Sequence, residues 1–437
     1  MTQLSVIGTG YLGATHAVCM AELGLDVVGI DVDAAKIAKL SDGVVPFFEP
    51  GLEDMLRKTL DTGRLRFSTS YDAAAGADMH FVCVGTPQRK GEFAADLSYL
   101  ESAIASLAPY LDRPCTVAGK STVPIGTAEH VAAYVAAHAP AGAAAEVVWN
   151  PEFLREGFAI DDTLHPDRLV FGVSSQTGER ALRRVFAPLI DAGVPVVVTD
   201  LATAQLVKVA ANAFLATKIS FINAMAEVCE ATHADVKKLS EALSYDDRIG
   251  GRFLHAGLGF GGGCLPKDIR AFMARAGELG VDQALSFLTE VDAINQRRRA
   301  RMVDLARECV DDAFRGRRVG VLGAAFKPNS DDIRDSPALD VATRIHRAGA
   351  VVTVYDPAAL DNARRDYPDL DYATSAEDAV ADADVVLHLT EWQEFRDLDP
   401  HRLAERVRQR HIVDGRNALD ARRWRDAGWH YRALGRP

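Results

Sequence analysis

Leu4-Ser5-Val6-Ile7-Gly8-Thr9-Gly10-Tyr11-Leu12-Gly13 reads as a short apolar strand running into a GxGxxG turn. A helical run from Ala14 to Leu23 follows, then a second strand, Val27-Val28-Gly29-Ile30, ending at Asp31. Strand, glycine turn, helix, strand and acid, in that order, form the dinucleotide-binding fingerprint in the context its chemistry needs. Gly8 makes the turn, Gly10 leaves room for a pyrophosphate, and Gly13 lets the helix pack on the sheet. The helix N-terminus receives the phosphate charge. Asp31 can accept hydrogen bonds from ribose hydroxyls and would repel a 2'-phosphate, so NAD is expected rather than NADP. Lys36 either reaches the cofactor or is solvated.

Outward from this unit the alternation continues. Asp78 to Val84 is a strand ending in Gly85-Thr86-Pro87, and Thr116 to Lys120 is a strand ending in Ser121-Thr122-Val123-Pro124. Open α/β sheets bind ligands at the carboxyl ends of their strands. Thr86 and Thr122 are therefore either cofactor contacts or turn caps. Val147-Val148-Trp149 closes the strand pattern, and Asn150-Pro151-Glu152-Phe153-Leu154-Arg155-Glu156-Gly157 follows. Glu152 and Glu156 are four apart and would share a face of a helical turn. They either divide acid and base duties or pair with Arg155 and Arg168.

From Ala202 to about Ala231 the chain lacks Gly and Pro and reads as one long helix. Lys208 and Asn212 share a face of it; Lys208 either stabilises an oxyanion, with Asn212 as a second donor, or reaches solvent. A helix so apolar needs burial on most sides, which suggests a subunit interface. Gly259-Phe260-Gly261-Gly262-Gly263-Cys264-Leu265-Pro266-Lys267-Asp268 then leads into a helix running to Leu279, with Pro266 at its first position. Cys264 would sit at a helix N-terminus, where thiolate is favoured, with Lys267 and Asp268 in the first turn. The alternative is a glycine turn with an inert cysteine. A further helix runs from about Ser286 to Phe314.

The last third repeats the strand-helix order without GxGxxG: strands start at Arg317, Val351, Asp384 and His411, with Asp356 ending the second. Lys327, Arg334 and Arg416 either supply cations to a phosphate-bearing substrate or are solvated. The expected architecture is α/β, with two Rossmann-like doubly wound domains joined by a long central helical dimerisation region. The domains are expected at 1–200, 201–314 and 315–437.

With 437 residues the chain exceeds one core. Hydrophobic content of 48% and charged content of 25% suit an ordinary globular protein, and a net charge of -12 argues against nonspecific nucleic-acid binding. Six scattered cysteines without a CxxC pair suit a reducing cytosol, and no metal site is expected. A strand entered by about Leu4 leaves no room for a signal peptide, and no uncharged apolar run is long enough to span a bilayer. A cytoplasmic protein without membrane or nucleic-acid partners is expected.

In family order, GTGYLG, VGTP, KSTVPIGT, NPEFLREG, the KVAAN helix, FGGGCLPKD and FKPNSDDIRDSP resemble the UDP-glucose/GDP-mannose dehydrogenase family, from Val6 to about Arg416. The resemblance implies a four-electron oxidation in which UDP-glucose, two NAD and water give UDP-glucuronate and two NADH. UDP-N-acetylmannosamine or GDP-mannose is the alternative substrate; His165-Pro166-Asp167-Arg168-Leu169 resembles the UDP-glucose branch more.

By this resemblance Cys264 captures the aldehyde as a thiohemiacetal, and the second hydride transfer leaves a thioester. Lys208 and Asn212 hold the reacting oxygen, and Asp268 acts as base or positions a water. Glu156 assists thioester hydrolysis, while Glu152 and Thr122 order water and cofactor. The implied cofactor site comprises Gly8, Gly10, Tyr11, Leu12 and Gly13, then Asp31, Lys36, Thr86 and Pro87, and finally Thr122, Glu156, Lys267 and Arg334. The implied substrate site takes Glu152, Phe153, Leu154 and Glu156, with Lys208, Asn212 and Cys264. Phe253, Leu254, His255, Gly257 and Gly261 line it, His255 standing where some relatives carry lysine. Phe326 belongs to the same site, Lys327 reaches the uracil or phosphate region, Arg416 contacts the sugar nucleotide, and Arg248 is offered across a homodimer interface.

Overall fold

The computed structural model describes residues 2–436. The first sheet is built from β1 (Gln3–Ile7), β2 (Asp26–Ile30), β3 (Leu65–Ser68), β4 (Met79–Val82), β5 (Cys115–Gly119), β6 (Ala145–Trp149), β7 (Leu169–Gly172) and β8 (Val196–Thr199). Their order is β3-β2-β1-β4-β5-β6-β7-β8, and only β6 and β7 pair antiparallel, at Trp149 and Gly172. Strand order reverses beside β1, which opens a crevice at the carboxyl ends of β1 and β4. The register sets Ile7 against Ile30 and against Val82, so Gly8, Asp31 and the turn after β4 reach the same edge. β1 and β4 are buried along nearly their whole length, as a parallel sheet covered on both faces requires.

The second sheet comprises β9 (Arg318–Leu322), β10 (Val351–Tyr355), β11 (Asp371–Tyr372), β12 (Val385–His388), β13 (His411–Asp414) and β14 (His430–Ala433). Its order, β11-β10-β9-β12-β13-β14, repeats the same reversal with every pairing parallel. The α/β expectation of two Rossmann-like sheets and a long central helix therefore holds. The chain forms two compact units, one up to Ala211 with Arg270–Gly280, the other Asn212–Ile269 with the chain from Val281.

The long helix spans Leu201–Thr232. By length and composition it is apolar enough to cross a membrane. Its buried polar side chains nevertheless meet polar partners. Gln205 Oε1 accepts the Ala128 amide at 3.0 Å, Ser220 Oγ donates to the Val291 carbonyl at 2.7 Å, and Asn223 Oδ1 accepts the Gly257 amide at 2.9 Å. Such satisfied polar contacts mark a core helix.

Three local expectations need correction. Asn150 to Arg155 is irregular rather than helical, so Glu152 and Glu156 do not share a helix face. The cysteine helix is Leu265–Glu278, which puts Pro266 at its second position. The helix expected from Ser286 to Phe314 is Phe287–Glu308.

Candidate active site

The fingerprint is shaped by steric necessity. Gly8 has φ +86°, and a Cβ there would lie 2.8 Å from Val84 Cγ1. A Cβ on Gly13 would fall 1.8 Å from the Gly8 carbonyl oxygen, so only glycine lets the helix meet the turn. A Cβ on Gly10 would meet nothing within 4 Å, the open space a pyrophosphate needs. Gly10 caps the helix Tyr11–Glu22 without a side-chain hydrogen bond, which leaves first-turn N–H groups for an anion.

Asp31 Oδ2 accepts from the Thr9 amide at 2.8 Å and from Lys36 Nζ at 2.8 Å. Burial opposes ionisation of Asp31, but the Lys36 ammonium and the Asp33 and Thr9 amides outweigh it and hold the carboxyl below its ordinary value. A charged acceptor at the end of β2 fits ribose hydroxyls. Lys36 is thus fixed on Asp31 rather than freely solvated. Thr86 is buried and its hydroxyl donates to the Thr122 carbonyl at 2.7 Å, tying the two strand-end turns together. Pro87 is exposed beside it, and Thr122 is half-buried.

The carboxylate loop after β6 belongs to the same unit. Glu152 Oε1 accepts the amides of Phe153 and Leu154, and its Oε2 lies 3.5 Å from the buried Lys120 Nζ. Arg155 pairs with Asp162 at 2.6 Å. Arg168 stacks on the Phe153 ring at 3.9 Å, and Lys208 Nζ lies 5.3 Å from the same ring centroid. Leu154 and Glu156 are half-buried.

In the second unit, Cys264 precedes the first residue of its helix, and its carbonyl accepts the Asp268 amide at 2.9 Å. Asp268 is buried; Oδ2 accepts from Asn212 Nδ2 at 2.6 Å and Oδ1 from Lys267 Nζ at 2.5 Å. Cys264 is exposed, while the other five cysteines are buried. Burial pushes Cys19 and Cys83 up to about 12 and Cys115 to about 11, and raises Cys229 and Cys309 as well. Cys264 is therefore the reactive candidate.

The glycine loop before Cys264 is clamped by side chains from later in the chain. Asn295 Oδ1 accepts the Phe260 amide at 2.8 Å, and its Nδ2 donates to the Phe260 carbonyl at 2.9 Å. Arg416 donates to the carbonyls of Gly259 at 2.9 Å, Phe326 at 3.0 Å and Leu389 at 2.7 Å. Three of its five donors thus hold backbone. A Cβ on Gly263 would lie 2.2 Å from the Arg334 guanidinium carbon, and one on Gly262 2.7 Å from the Phe326 ring, against which Lys327 Nζ lies at 5.4 Å. Arg334 pairs with Asp332 at 2.8 Å. Leu254 is buried, Phe253 adopts φ +65°, and His255 is exposed between Leu254 and Ala256. A Cβ on Gly257 would lie 2.7 Å from the Gly415 carbonyl, and one on Gly261 2.3 Å from the Asp335 carbonyl. Arg248 is exposed and held by Asp246 at 2.7 Å.

At the end of β10, Asp356 is buried and accepts the amides of Ala324 and Ala325 at 2.8 and 3.0 Å, and Trp392 Nε1 at 3.1 Å. It occupies the place of Asp31 but is fully buried beneath these donors. The sequence reading missed Lys120, Asn150 and Glu49. Lys120 and Asn150 lie inside KSTVPIGT and NPEFLREG, motifs quoted for other residues, and Glu49 lies in none.

A Rossmann crevice with a carboxylate suited to ribose hydroxyls at the end of β2, in a chain that also places an exposed cysteine before a helix, is the arrangement of an NAD-dependent dehydrogenase. Residues 2–190 match the NAD-binding domain, 202–297 the central domain and 320–421 the UDP-binding domain of one family. The chain belongs to the UDP-glucose/GDP-mannose dehydrogenase family. It is 41% identical to the UDP-glucose 6-dehydrogenase of Rhizobium meliloti, covering 100% of both chains. It is 40% identical to UDP-glucose 6-dehydrogenase TuaD of Bacillus subtilis, over 100% of this chain and 94% of the relative. Among solved structures it resembles a UDP-glucose dehydrogenase from Pyrobaculum islandicum with a TM-score of 0.92 and 38% identity, covering 100% of this chain and 98% of that one. A UDP-D-ManNAc dehydrogenase from Pyrococcus horikoshii aligns with a TM-score of 0.85 and 26% identity, over 100% and 99% of the two chains.

Proposed function

We propose that the chain oxidises UDP-glucose to UDP-glucuronate through a cysteine thioester. The observation that carries this reading is the cysteine helix: exposed Cys264 at its N-cap and, one turn on, Asp268 held by Asn212 at 2.6 Å. The first of two hydride removals at one carbon creates an aldehyde that a free active site would lose to solvent. A thiolate retains it covalently. NAD, when bound, accepts the hydride of each oxidation.

Asp268 takes the hydroxyl proton of the sugar, directly or through water. Lys208 and Asn212 stabilise first the alkoxide and later the tetrahedral oxyanion. Cys264 adds to the aldehyde to give a thiohemiacetal, and its oxidation leaves the thioester. Water then attacks the acyl carbon, Glu156 takes a proton from that water, and the C–S bond breaks to release thiolate and a carboxylic acid, which gives its proton to solvent. Glu152 and Thr122 order the water. Gly8, Gly10, Tyr11, Leu12 and Gly13 hold the pyrophosphate, and Asp31 the ribose. Lys36, Thr86, Pro87, Lys267 and Arg334 complete the cofactor assignment.

Phe153, Leu154, Phe253, Leu254, His255, Gly257 and Gly261 are assigned to the nucleotide sugar, with Phe326, Lys327 and Arg416 towards its UDP moiety. Phe214, Phe221 and Val228 are spaced seven apart on the long helix and are 66%, 49% and 53% exposed. This apolar stripe supports a homodimer, with Arg248 reaching the partner's site. We retain the cytoplasmic assignment and the domain boundaries 1–200, 201–314 and 315–437 as part of the same reading. The likeness to the UDP-D-ManNAc dehydrogenase favours the same chemistry on another nucleotide sugar as a second reading.

The deciding experiment measures NADH released per UDP-glucose consumed by purified protein. About two supports the thioester route. About one means the reaction stops at the aldehyde, and none moves the substrate to UDP-N-acetylmannosamine or GDP-mannose.

A further inference from the structure

The loop that carries Glu152 and Glu156 is held at both ends by buried charged side chains of opposite sign. At its start, Lys120, 4% exposed, donates to Asn150 Oδ1 at 2.9 Å. At its end, Glu49, 7% exposed, accepts the Gly157 amide on Oε2 at 2.6 Å and the Ala159 amide on Oε1 at 2.7 Å. Nothing in the chemistry above uses Glu49. Yet a buried carboxylate is costly unless its oxygens are hydrogen-bonded, and this one has a further partner. Its Oε2 also accepts the Tyr11 hydroxyl, which itself accepts the Gly157 amide at 3.0 Å.

Tyr11 is the first residue of the helix that opens at Gly10, so its backbone lies in the phosphate-facing turn. Its ring packs on Phe47 at 4.8 Å, two residues before Glu49. Burial first, then Glu49, pushes the Tyr11 phenol far above its usual range, and the Glu156 carboxylate adds to this. The hydroxyl therefore stays protonated and remains a donor to Glu49. One side chain thus joins the pyrophosphate turn to the loop of the two glutamates, and all of these residues lie in one unit.

We propose that Glu49 is a positioning residue that couples the phosphate-binding turn at Tyr11 to the Glu152–Gly157 loop, so that a bound dinucleotide orders the two carboxylates. The coupling is reciprocal, so an ordered loop also strengthens dinucleotide binding. Its catalytic consequence rests on the assignment of Glu156 to thioester hydrolysis. The coupling itself rests only on the Tyr11–Glu49–Gly157 contacts.

Amide hydrogen exchange of the full-length protein, with and without NAD and without sugar, tests the coupling directly. In the wild type, NAD slows exchange of both the 8–13 and the 150–159 segments. In Tyr11→Phe and Glu49→Gln the 8–13 segment still responds, while the slowing at 150–159 shrinks by roughly fivefold or more, the lower end of a typical coupling between sites. Tyr11→Phe keeps both backbone bonds of Glu49, so it carries the test if Glu49→Gln fails to fold. Undiminished slowing at 150–159 in Tyr11→Phe overturns the proposal.

Intact-mass measurement during turnover with UDP-glucose reads the consequence. The share of protein acylated on Cys264 is expected to rise roughly fivefold in Tyr11→Phe, matching the lost coupling. If exchange shows the coupling but no protein, wild type included, ever carries an acyl group, the proposal stands and the thioester reading fails. If acylation stays at the wild-type level in a Tyr11→Phe protein that does form it, the ordering does not serve hydrolysis and the proposal is overturned.

Discussion

Asn212 Nδ2 donates to Asp268 Oδ2 at 2.6 Å, while Lys267 Nζ approaches the other oxygen of the same carboxylate at 2.5 Å. The carboxylate is therefore held in one orientation, one helical turn from Cys264. Asp268→Asn keeps the shape and removes the proton acceptor. It is expected to lower kcat by about 100-fold or more, the usual contribution of a positioned base, with KM for UDP-glucose little changed. Initial-rate NADH measurements check this; an unchanged kcat would remove Asp268 from proton transfer.

Cys264 is exposed and the remaining thiols are buried, three of them pushed to about 11 or 12. Limited treatment with iodoacetamide at neutral pH should therefore label Cys264 first. Peptide mass spectrometry reads the site, and saturating UDP-glucose should slow the labelling. Cys264→Ser should release at most about one NADH per sugar at the normal rate, because a serine hydroxyl, un-ionised at this pH, is a poorer capturing nucleophile than a thiolate.

Asp31 is held ionised by Lys36 and by the amides of Asp33 and Thr9. Asp31→Ala removes both the ribose acceptor and the charge that repels a 2'-phosphate, and it frees Lys36 to attract one. KM for NAD should rise and the preference for NAD over NADP should fall by roughly tenfold or more, the worth of one charge-assisted hydrogen bond. Steady-state kinetics with both dinucleotides decide it, and an unaltered ratio would move ribose recognition elsewhere.

A Cβ at Gly13 would sit 1.8 Å from the Gly8 carbonyl oxygen. Gly13→Ala must push the helix off the turn, and it is expected to destabilise by about 1–3 kcal/mol, as overpacking does. Thermal unfolding should show the loss, and NAD should protect this variant less than the wild type.

In the second sheet Asp414 is fully buried and meets His388 Nδ1 at 2.8 Å, the Tyr431 hydroxyl at 3.0 Å and the Leu419 amide at 2.9 Å. Burial raises its pKa, but His388 and the surrounding donors outweigh this and leave it below the ordinary value. A depressed native pKa stabilises the fold fully above the unfolded value of about 3.9, and the contribution is lost as pH falls through the native value. Asp414→Asn should cost about 3 kcal/mol, as breaking a buried pair does, and should flatten the fall in stability on acidification below about pH 4. Denaturant titrations at several pH values test both.

Much of the architecture was readable from short stretches. The GxGxxG turn, the acid at Asp31 and the Gly- and Pro-free helix at Leu201–Thr232 depend on contacts within a few turns of chain, so residue type and spacing carry them. The failure at Glu152 and Glu156 shows the limit. Four-residue spacing implies a shared face only on a helix, and here Glu152 accepts its own neighbours' amides, Phe153 and Leu154, which bends the loop away from one.

Local order along the chain thus specified two Rossmann-like sheets, an NAD fingerprint and a cysteine at a helix start, because sterics and hydrogen bonding over short separations suffice for each. Long-range packing assigned the partners. Asp268 meets Asn212 across 56 residues, and Glu49 meets Tyr11 across 38 and Gly157 across 108. Arg416 spends its donors on the carbonyls of Gly259, Phe326 and Leu389. Every residue owns a backbone carbonyl or amide, so such bonds leave no mark in residue type. They exist only once folding brings distant segments into register.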